Sequence, residues 1–189
     1  MRVIAGSARR LLLKTPKGDE TRPTQDRIKE TLFNILQNFV PGAVFIDLYC
    51  GSGGIGIEAL SRGAKRCYFA ENAQEAYNCL IENLHTTHLE PKARVLKTDA
   101  VNALHAIREE EADIIFLDPP YESAQYERVL QALYTQPYVT QYTMIIAEAQ
   151  LKEDFSFAYA LGYEITREKG YKNNKHVFLR KAVQAQAET

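Results

Sequence analysis

The sequence predicts an α/β fold in which a mostly parallel sheet carries helices on both faces, and three observations predict it. Short apolar runs near 44–48, 66–70, 93–97, 112–117 and 143–148 alternate with segments of helical period near 54–62, 73–84, 100–109 and 124–134. This is the pattern of strands joined by crossover helices. The first run opens directly into Cys50-Gly-Ser-Gly-Gly-Ile-Gly56, a glycine-rich turn from strand to helix. The fourth ends in Asp118-Pro-Pro-Tyr121, where two prolines without amide N–H groups stop the strand.

Ahead of the first strand, residues 3–14 are basic and apolar by turns and read as a short β-hairpin or arm. Pro16, Gly18 and Asp19 are turn formers, so 14–21 is loop. A helix is expected from about 25 to 39, with Thr24 as N-cap after Pro23. Its apolar stripe of Ile28, Leu32, Ile35, Leu36 and Phe39 should pack in the core, and Pro41-Gly42 ends it. After the fifth strand, residues 163–180 read as two strands joined by a Gly/Asn turn. The chain of 189 residues is long enough for one three-layer domain. That domain is expected over 1–181, with 1–22 as arm and loop, 23–181 as core, and 182–189 as a frayed polar tail.

Composition narrows the class. No run approaches the roughly 18 apolar residues of a membrane span. Three cysteines without framework spacing point to free thiols in a reducing cytoplasm, Cys50 being a small packing residue. His85 and His88 lie three apart and His105 and His176 are isolated, with no third ligand at metal spacing, so no metal is expected. The net charge of -1 hides an asymmetry: residues 1–30 hold eight Lys/Arg against four acids, and residues 167–181 hold six against one. Arg2, Arg9, Arg10, Lys14, Lys172 and Lys175 are therefore candidates for phosphate contacts in a groove built by both ends. The plainer reading of such charge is a solvated face.

Gly51, Gly53 and Gly56 fit a dinucleotide loop, with Glu71 twenty positions after Gly51 to bond a ribose diol. The glycines alone would serve any ligand that lies against backbone. Asp47, just before the loop, argues against a pyrophosphate and for a cationic ligand. Asp47, Glu71, Asp99 and Asp118 each follow an apolar run, and strand ends of an open α/β sheet share one crevice. Four carboxylates around one ligand suit a cationic nucleoside such as S-adenosylmethionine, although Asp99 also suits a helix N-cap. At Asp118-Pro-Pro-Tyr121 the residue before each proline is held extended. The result is a stiff lip offering a carboxylate, carbonyls and an aromatic ring to a planar amine.

Further motifs are Arg2-Val-Ile-Ala-Gly-Ser7, Thr21-Arg-Pro-Thr-Gln-Asp-Arg-Ile-Lys-Glu-Thr-Leu-Phe-Asn-Ile-Leu36, the run from Asp47 through Gly63, and Lys169-Gly-Tyr with His176-Val-Phe-Leu179. With them the chain resembles the class I S-adenosylmethionine-dependent methyltransferases, and more narrowly the bacterial 16S ribosomal RNA guanine-N2 methyltransferases, over about residues 1–181. It departs at Tyr49-Cys50, where Phe-Ala is expected, and at Tyr121, where relatives often carry Phe. The resemblance implies a Rossmann-like, mostly parallel seven-stranded sheet with a C-terminal antiparallel hairpin and a basic N-terminal arm. It implies S-adenosylmethionine held by Asp47, Tyr49, Gly51, Ser52, Gly53, Glu71, Asn72, Asp99, Ala100 and Asp118. Catalysis would fall to Asp118, Pro119, Pro120 and Tyr121. RNA contact would come from the basic residues named above, with Arg22 and Thr24 closing over the base. The implied substrate is small-subunit ribosomal RNA or its assembling particle, and the implied enzyme is a cytoplasmic monomer without metal or membrane. The residues alone leave open a different planar target, such as DNA adenine or protein glutamine, and a nucleotide-binding module without transfer chemistry.

Overall fold

The computed structural model describes residues 1–17, 23–120 and 123–183, with 23, 24 and 123 by backbone alone. Along the chain run α1 Pro23–Ile35, β1 Val44–Leu48, α2 Gly54–Ser61, β2 Arg66–Ala70, α3 Gln74–Thr87, β3 Ala93–Leu96, α4 Ala100–Leu104, β4 Ile114–Leu117, α5 Ser123–Tyr134, β5 Met144–Gln150, α6 Phe157–Ala160, β6 Tyr163–Gly170 and β7 Asn174–Lys181. The seven strands form one sheet in the order β3-β2-β1-β4-β5-β7-β6. β1 to β5 are parallel, while β7 runs antiparallel between β5 and β6. The expected mostly parallel sheet with a closing antiparallel hairpin is the one observed.

Strand residues alternate between two cores, because side chains on a strand point to opposite faces with period two. Ile46, Leu48, Ile115, Leu117 and Ile145 pack with α4, α5 and α6. Phe45, Phe69, Ile114, Phe116, Ile146 and Phe178 pack with α1, α2, α3 and the N-terminal segment. Three layers result.

Several local expectations change. α1 begins at Pro23, a residue favoured at the first helical position, so Thr24 lies inside the helix rather than capping it. The helix stops at Ile35, and the turn that follows leaves Phe39 exposed while Val40 takes the buried place; Phe33 joins Leu32 and Leu36 in the core. α4 ends at Leu104, five residues early. β4 starts one residue after Asp113, whose carboxylate instead accepts from Val44 N at 2.7 Å. A 3-10 turn at Glu90–Lys92 and the short α6 had no expectation. Residues 184–189 of the expected tail lie outside the described residues.

The N-terminal arm folds back on itself through an Arg2/Leu12 bridge, with Val3 N donating to Leu11 O at 3.0 Å and Leu13 N to Met1 O at 2.9 Å. Glu58 of α2, wholly buried, fastens it. Its carboxylate accepts from Ile4 N at 2.8 Å and Ala5 N at 3.0 Å, and from Arg62 Nε at 2.7 Å. It also faces Lys29 Nζ at 3.4 Å, and that ammonium donates to Arg2 O at 2.7 Å. Burial lowers the Lys29 pKa and Glu58 opposes the shift. Removing one member of such a set strands the others without solvent. Glu58→Ala should therefore cost about 3–5 kcal/mol in urea-unfolding stability, and a loss below about 1 kcal/mol would contradict this role.

Candidate active site

The site is built at the turn between β1 and α2. Tyr49, Gly51 and Gly53 all have positive φ, 63°, 55° and 86°, which a non-glycine residue such as Tyr49 adopts only under constraint. Gly56 serves a different need: a Cβ there would meet the Phe69 ring at 2.3 Å, so its absence lets α2 lie against β2. Cys50 is buried with its thiol pKa pushed well up by desolvation, in keeping with packing.

The four carboxylates expected around one ligand take four different states. Asp47 does not reach the crevice. It pairs in register with Phe69 on β2 and Phe116 on β4, whereas Glu71 and Asp118 lie two residues beyond those partners. Asp47 is thus one pleat repeat, about 6.7 Å, deeper in the sheet. There it is 1% exposed and accepts from Gly56 N at 2.8 Å. Desolvation, opposed by that hydrogen bond and aided by Glu71, pushes its pKa up to about 7. Glu71 accepts from Gly51 N at 2.9 Å and Ala73 N at 2.7 Å, bracing the turn against the start of α3. Asp99 is the N-cap of α4, accepting from Val101 N and Asn102 N, both at 3.1 Å, and the bond from Asn102 leads in lowering its pKa. Asp118 opens onto solvent-filled space but is walled by protein. Desolvation, then Glu148 and Asp47, holds its carboxyl well above the usual range.

Glu71, Asn72, Asp99, Ala100, Tyr49, Asp118, Pro119 and Pro120 line a crevice of about 510 Å³, together with Gln125 and Arg128. Gly51, Ser52 and Gly53 form the turn beside it and are absent from its lining. Asp118 also lines a second cavity of about 860 Å³, between Gln25, Arg27, Ile28 and Thr31 of α1 and Glu148, Tyr171 and Lys172. A third groove of about 690 Å³ runs along the arm past Arg2, Arg9 and Arg10, and Arg27 lines both it and the second cavity. Arg2 faces Asp26 at 3.3 Å.

Two basic candidates are engaged elsewhere. Lys175 is buried, donates to Glu168 at 2.9 Å and lies over the Phe155 ring, because its place on β7 points inward. Lys14 pairs with Glu82 of α3, away from the groove. Tyr121 and Arg22, and the side chain of Thr24, lie outside the described residues. Arg27, Arg128 and Glu148 are not among the residues the sequence singles out for the site, and His176, isolated in sequence, is buried beside Glu148. Arg27 was legible within the family motif at 21–36; the register that gathers Glu148 and His176 has no local signal.

A glycine turn after β1, a carboxylate-proline lip after β4 and this strand order define a Rossmann-like methyltransferase. Residues 1–180 match the model of the family described as Conserved hypothetical protein 95, and the chain belongs to that family. It is 41% identical over 162 residues to YlbH of Bacillus subtilis, named as a proposed rRNA methyltransferase, spanning 85% of this chain and 81% of that one. It is 33% identical over 152 residues to ribosomal RNA small subunit methyltransferase D of Escherichia coli, 80% and 76% of the two chains. The structure of Escherichia coli yhhF, titled as a proposed methyltransferase, superimposes with a TM-score of 0.84 at 30% identity, covering 97% of this chain and 99% of that one.

The Asp47 carboxyl gives a pH test. Its folded pKa, about 7, exceeds its ordinary value of 3.8, so between these values the folded chain holds more protons than the unfolded one. The resulting stabilisation is complete below pH 3.8 and is lost as pH rises through about 7. Asp47→Asn keeps an acceptor for Gly56 N and removes the titration. Across this window, chemical denaturation should show wild-type stability falling relative to Asp47→Asn by up to about 4 kcal/mol; parallel profiles would show that Asp47 is ionised in the fold.

Proposed function

We propose that this chain transfers a methyl group from S-adenosylmethionine to the exocyclic N2 amine of a guanine in small-subunit ribosomal RNA, acting in the cytoplasm. The observation that carries the reading is Asp118, shared between the crevice at the glycine turn and the second cavity under α1. A donor in one and a base in the other would meet at that carboxylate. The names of the curated relatives support RNA of the small subunit as the acceptor.

The crevice fits the methyl donor by its chemistry. Glu71 retains acceptor capacity beyond Gly51 N and Ala73 N, since a carboxylate has about four acceptor positions, and suits ribose hydroxyls. Asp99 and Asn72 stand beside it. Among the described lining residues, the acidic groups Glu71, Asp99 and Asp118 outnumber the cation Arg128, an unfavourable lining for phosphates and a favourable one for a sulfonium and an ammonium. When bound, S-adenosylmethionine supplies an electrophilic methyl group.

The residues of the chain do the rest. A guanine amine is a weak nucleophile because its lone pair is delocalised into the ring. Asp118 and the Pro119 carbonyl accept its N–H bonds, raising electron density on nitrogen and fixing the direction of the lone pair. As nitrogen gains positive charge its proton becomes acidic, and Asp118, whose pKa is raised by its surroundings, is suited to take it. A base in a duplex cannot reach this depth, so the guanine enters unpaired or flipped.

With tritiated methyl donor, label should enter small-subunit RNA and be recovered after nuclease digestion as N2-methylguanosine, which also maps the position. Label confined to DNA or protein would refute the reading. Asp118→Ala should lower turnover about a hundredfold or more while changing donor affinity little. Glu71→Ala should weaken donor binding about tenfold by calorimetry.

The arm groove makes a separate prediction. Phosphate contacts position RNA without reading it. Replacing Arg9 and Arg10 together by Gln should weaken RNA binding, reduce its logarithmic salt slope by roughly 0.7–0.9 per lost contact, and leave donor affinity intact. Unchanged binding and slope would mean these arginines are solvated surface only.

A further inference from the structure

A row of polar side chains runs across three neighbouring strands beside the second cavity. Asp118 lies one step past the Leu117/Ala147 pair of β4 and β5, beside Glu148, and Glu148 pairs in register with His176 on β7. Phe116, Ile146 and Phe178, two residues away from each, all belong to the core on the α1 side. The row therefore faces α1, and Asp118 and Glu148 both line the cavity.

Glu148 is held from behind. Its Oε2 lies 3.1 Å from Nε2 of His176, Oε1 accepts from Asn174 Nδ2, and Tyr171 Oη lies 2.9 Å from Nδ1 of His176. His176 is fully buried. With the imidazole neutral, one tautomer satisfies both contacts: Nε2–H donates to the carboxylate and Nδ1 accepts from the tyrosine. Each carboxylate oxygen keeps a lone pair, and the Glu148 side chain is 24% exposed, so its free edge is open to the cavity.

We infer that Glu148 is the residue that selects guanine, by accepting the ring N1–H while Asp118 accepts the neighbouring N2–H. This rests on the reading proposed above. The argument is one of donor pattern. Guanine presents two adjacent donors, N1–H and the N2 amine, and two fixed carboxyl groups, each with an acceptor oxygen, match them. Adenine puts an acceptor, N1, next to its amine, cytosine puts N3 there, and a glutamine amide puts its carbonyl oxygen there. Each would set a lone pair against the Glu148 carboxylate, and a site built around a donor strongly rejects an analogue lacking it. The same pair of residues would therefore exclude DNA adenine and protein glutamine.

The probe is 2-aminopurine, which keeps the methyl-accepting amine, replaces N1–H by a lone pair and lacks the 6-oxo oxygen, so the change of ratio in the Glu148 variant assigns the discrimination to N1–H. Small-subunit RNA carrying it at the mapped guanosine, made by splinted ligation, is compared with the guanosine RNA. Wild type should favour guanine by about a hundredfold or more in kcat/KM. In Glu148→Gln the amide oxygen can stay on His176 while the NH2 takes the place of Oε1 at the cavity edge, where Asn174 meets it with its own amide turned to present Oδ1. Guanine methylation should fall about tenfold or more and the preference for guanine should shrink by at least that factor, with donor affinity by calorimetry confirming the fold. Wild type that methylates 2-aminopurine within about threefold of guanine overturns the inference without any variant. A folded Glu148→Gln enzyme with an unchanged ratio does so too, leaving guanine methylation itself standing. Transfer to no guanine in either RNA would overturn the parent reading and this inference together.

Discussion

The adjacency of β1 and β4 is the constraint on which the site depends. From β1 the chain winds outward through β2 to β3, and from β4 it winds the opposite way through β5. Strands 1 and 4 are thus neighbours whose crossovers depart in opposite directions, which opens a gap at their carboxyl ends. Both ends carry backbone that cannot continue a sheet. β1 passes into a turn with three positive-φ residues, and β4 stops at Pro119 and Pro120. The crevice is where these two strands end side by side.

Depth in the sheet then sorts the carboxylates. Glu71 and Asp118 stand one pleat repeat above the level of Asp47, Phe69 and Phe116. Glu71 and Asp118 line the crevice, whereas Asp47 is sealed beneath α2. A buried carboxyl with a single hydrogen bond is costly when charged, and Asp47 answers by a raised pKa. Its contact with Gly56 N holds the first turn of α2 over β1. Its chemistry is therefore that of a support for the glycine turn, and it adds to the field that keeps Asp118 protonated at higher pH than usual.

This sorting marks the limit of what the sequence makes legible. Alternating runs and punctuation locate the strands to within a residue or two, because apolar period and proline act locally. The identification of Glu71, Asp99 and Asp118 as strand-end carboxylates follows from the same local signals. Asp47 fits that pattern equally well, and only the pairing register separates it. Lys175 reads as one more basic residue in a basic segment, yet β7 turns it inward onto Glu168. His176 reads in sequence as an isolated histidine, and its pairing with Glu148 is invisible there because 28 positions separate them; antiparallel pairing of β5 with β7 makes them opposite neighbours. Register over long separations is a property of the whole core, and no window of sequence contains it.

The N-terminal arm joins this frame largely through side chains, with a backbone bond from Ser7 N to Ser61 O at 2.8 Å beside them. Among its side-chain anchors are Glu58 and Ser61 of α2 and Asn83 of α3. Asn83 is 1% exposed: its Oδ1 accepts from Lys14 N at 2.7 Å, and its Nδ2 donates to Lys14 O at 2.8 Å and to Ser52 O at 2.9 Å. One buried amide therefore ties the end of the arm to the glycine turn itself. At the other end, Lys29 links Arg2 O on the arm with Glu58 on α2. A rigid arm costs less ordering entropy when a ligand docks than a free one would. Both of its anchors lie on the helices that flank the glycine turn, so the groove lined by Arg9 and Arg10 is fixed relative to the crevice. That fixed relation is what a long polyanion held at the arm would need in order to present one base at Asp118.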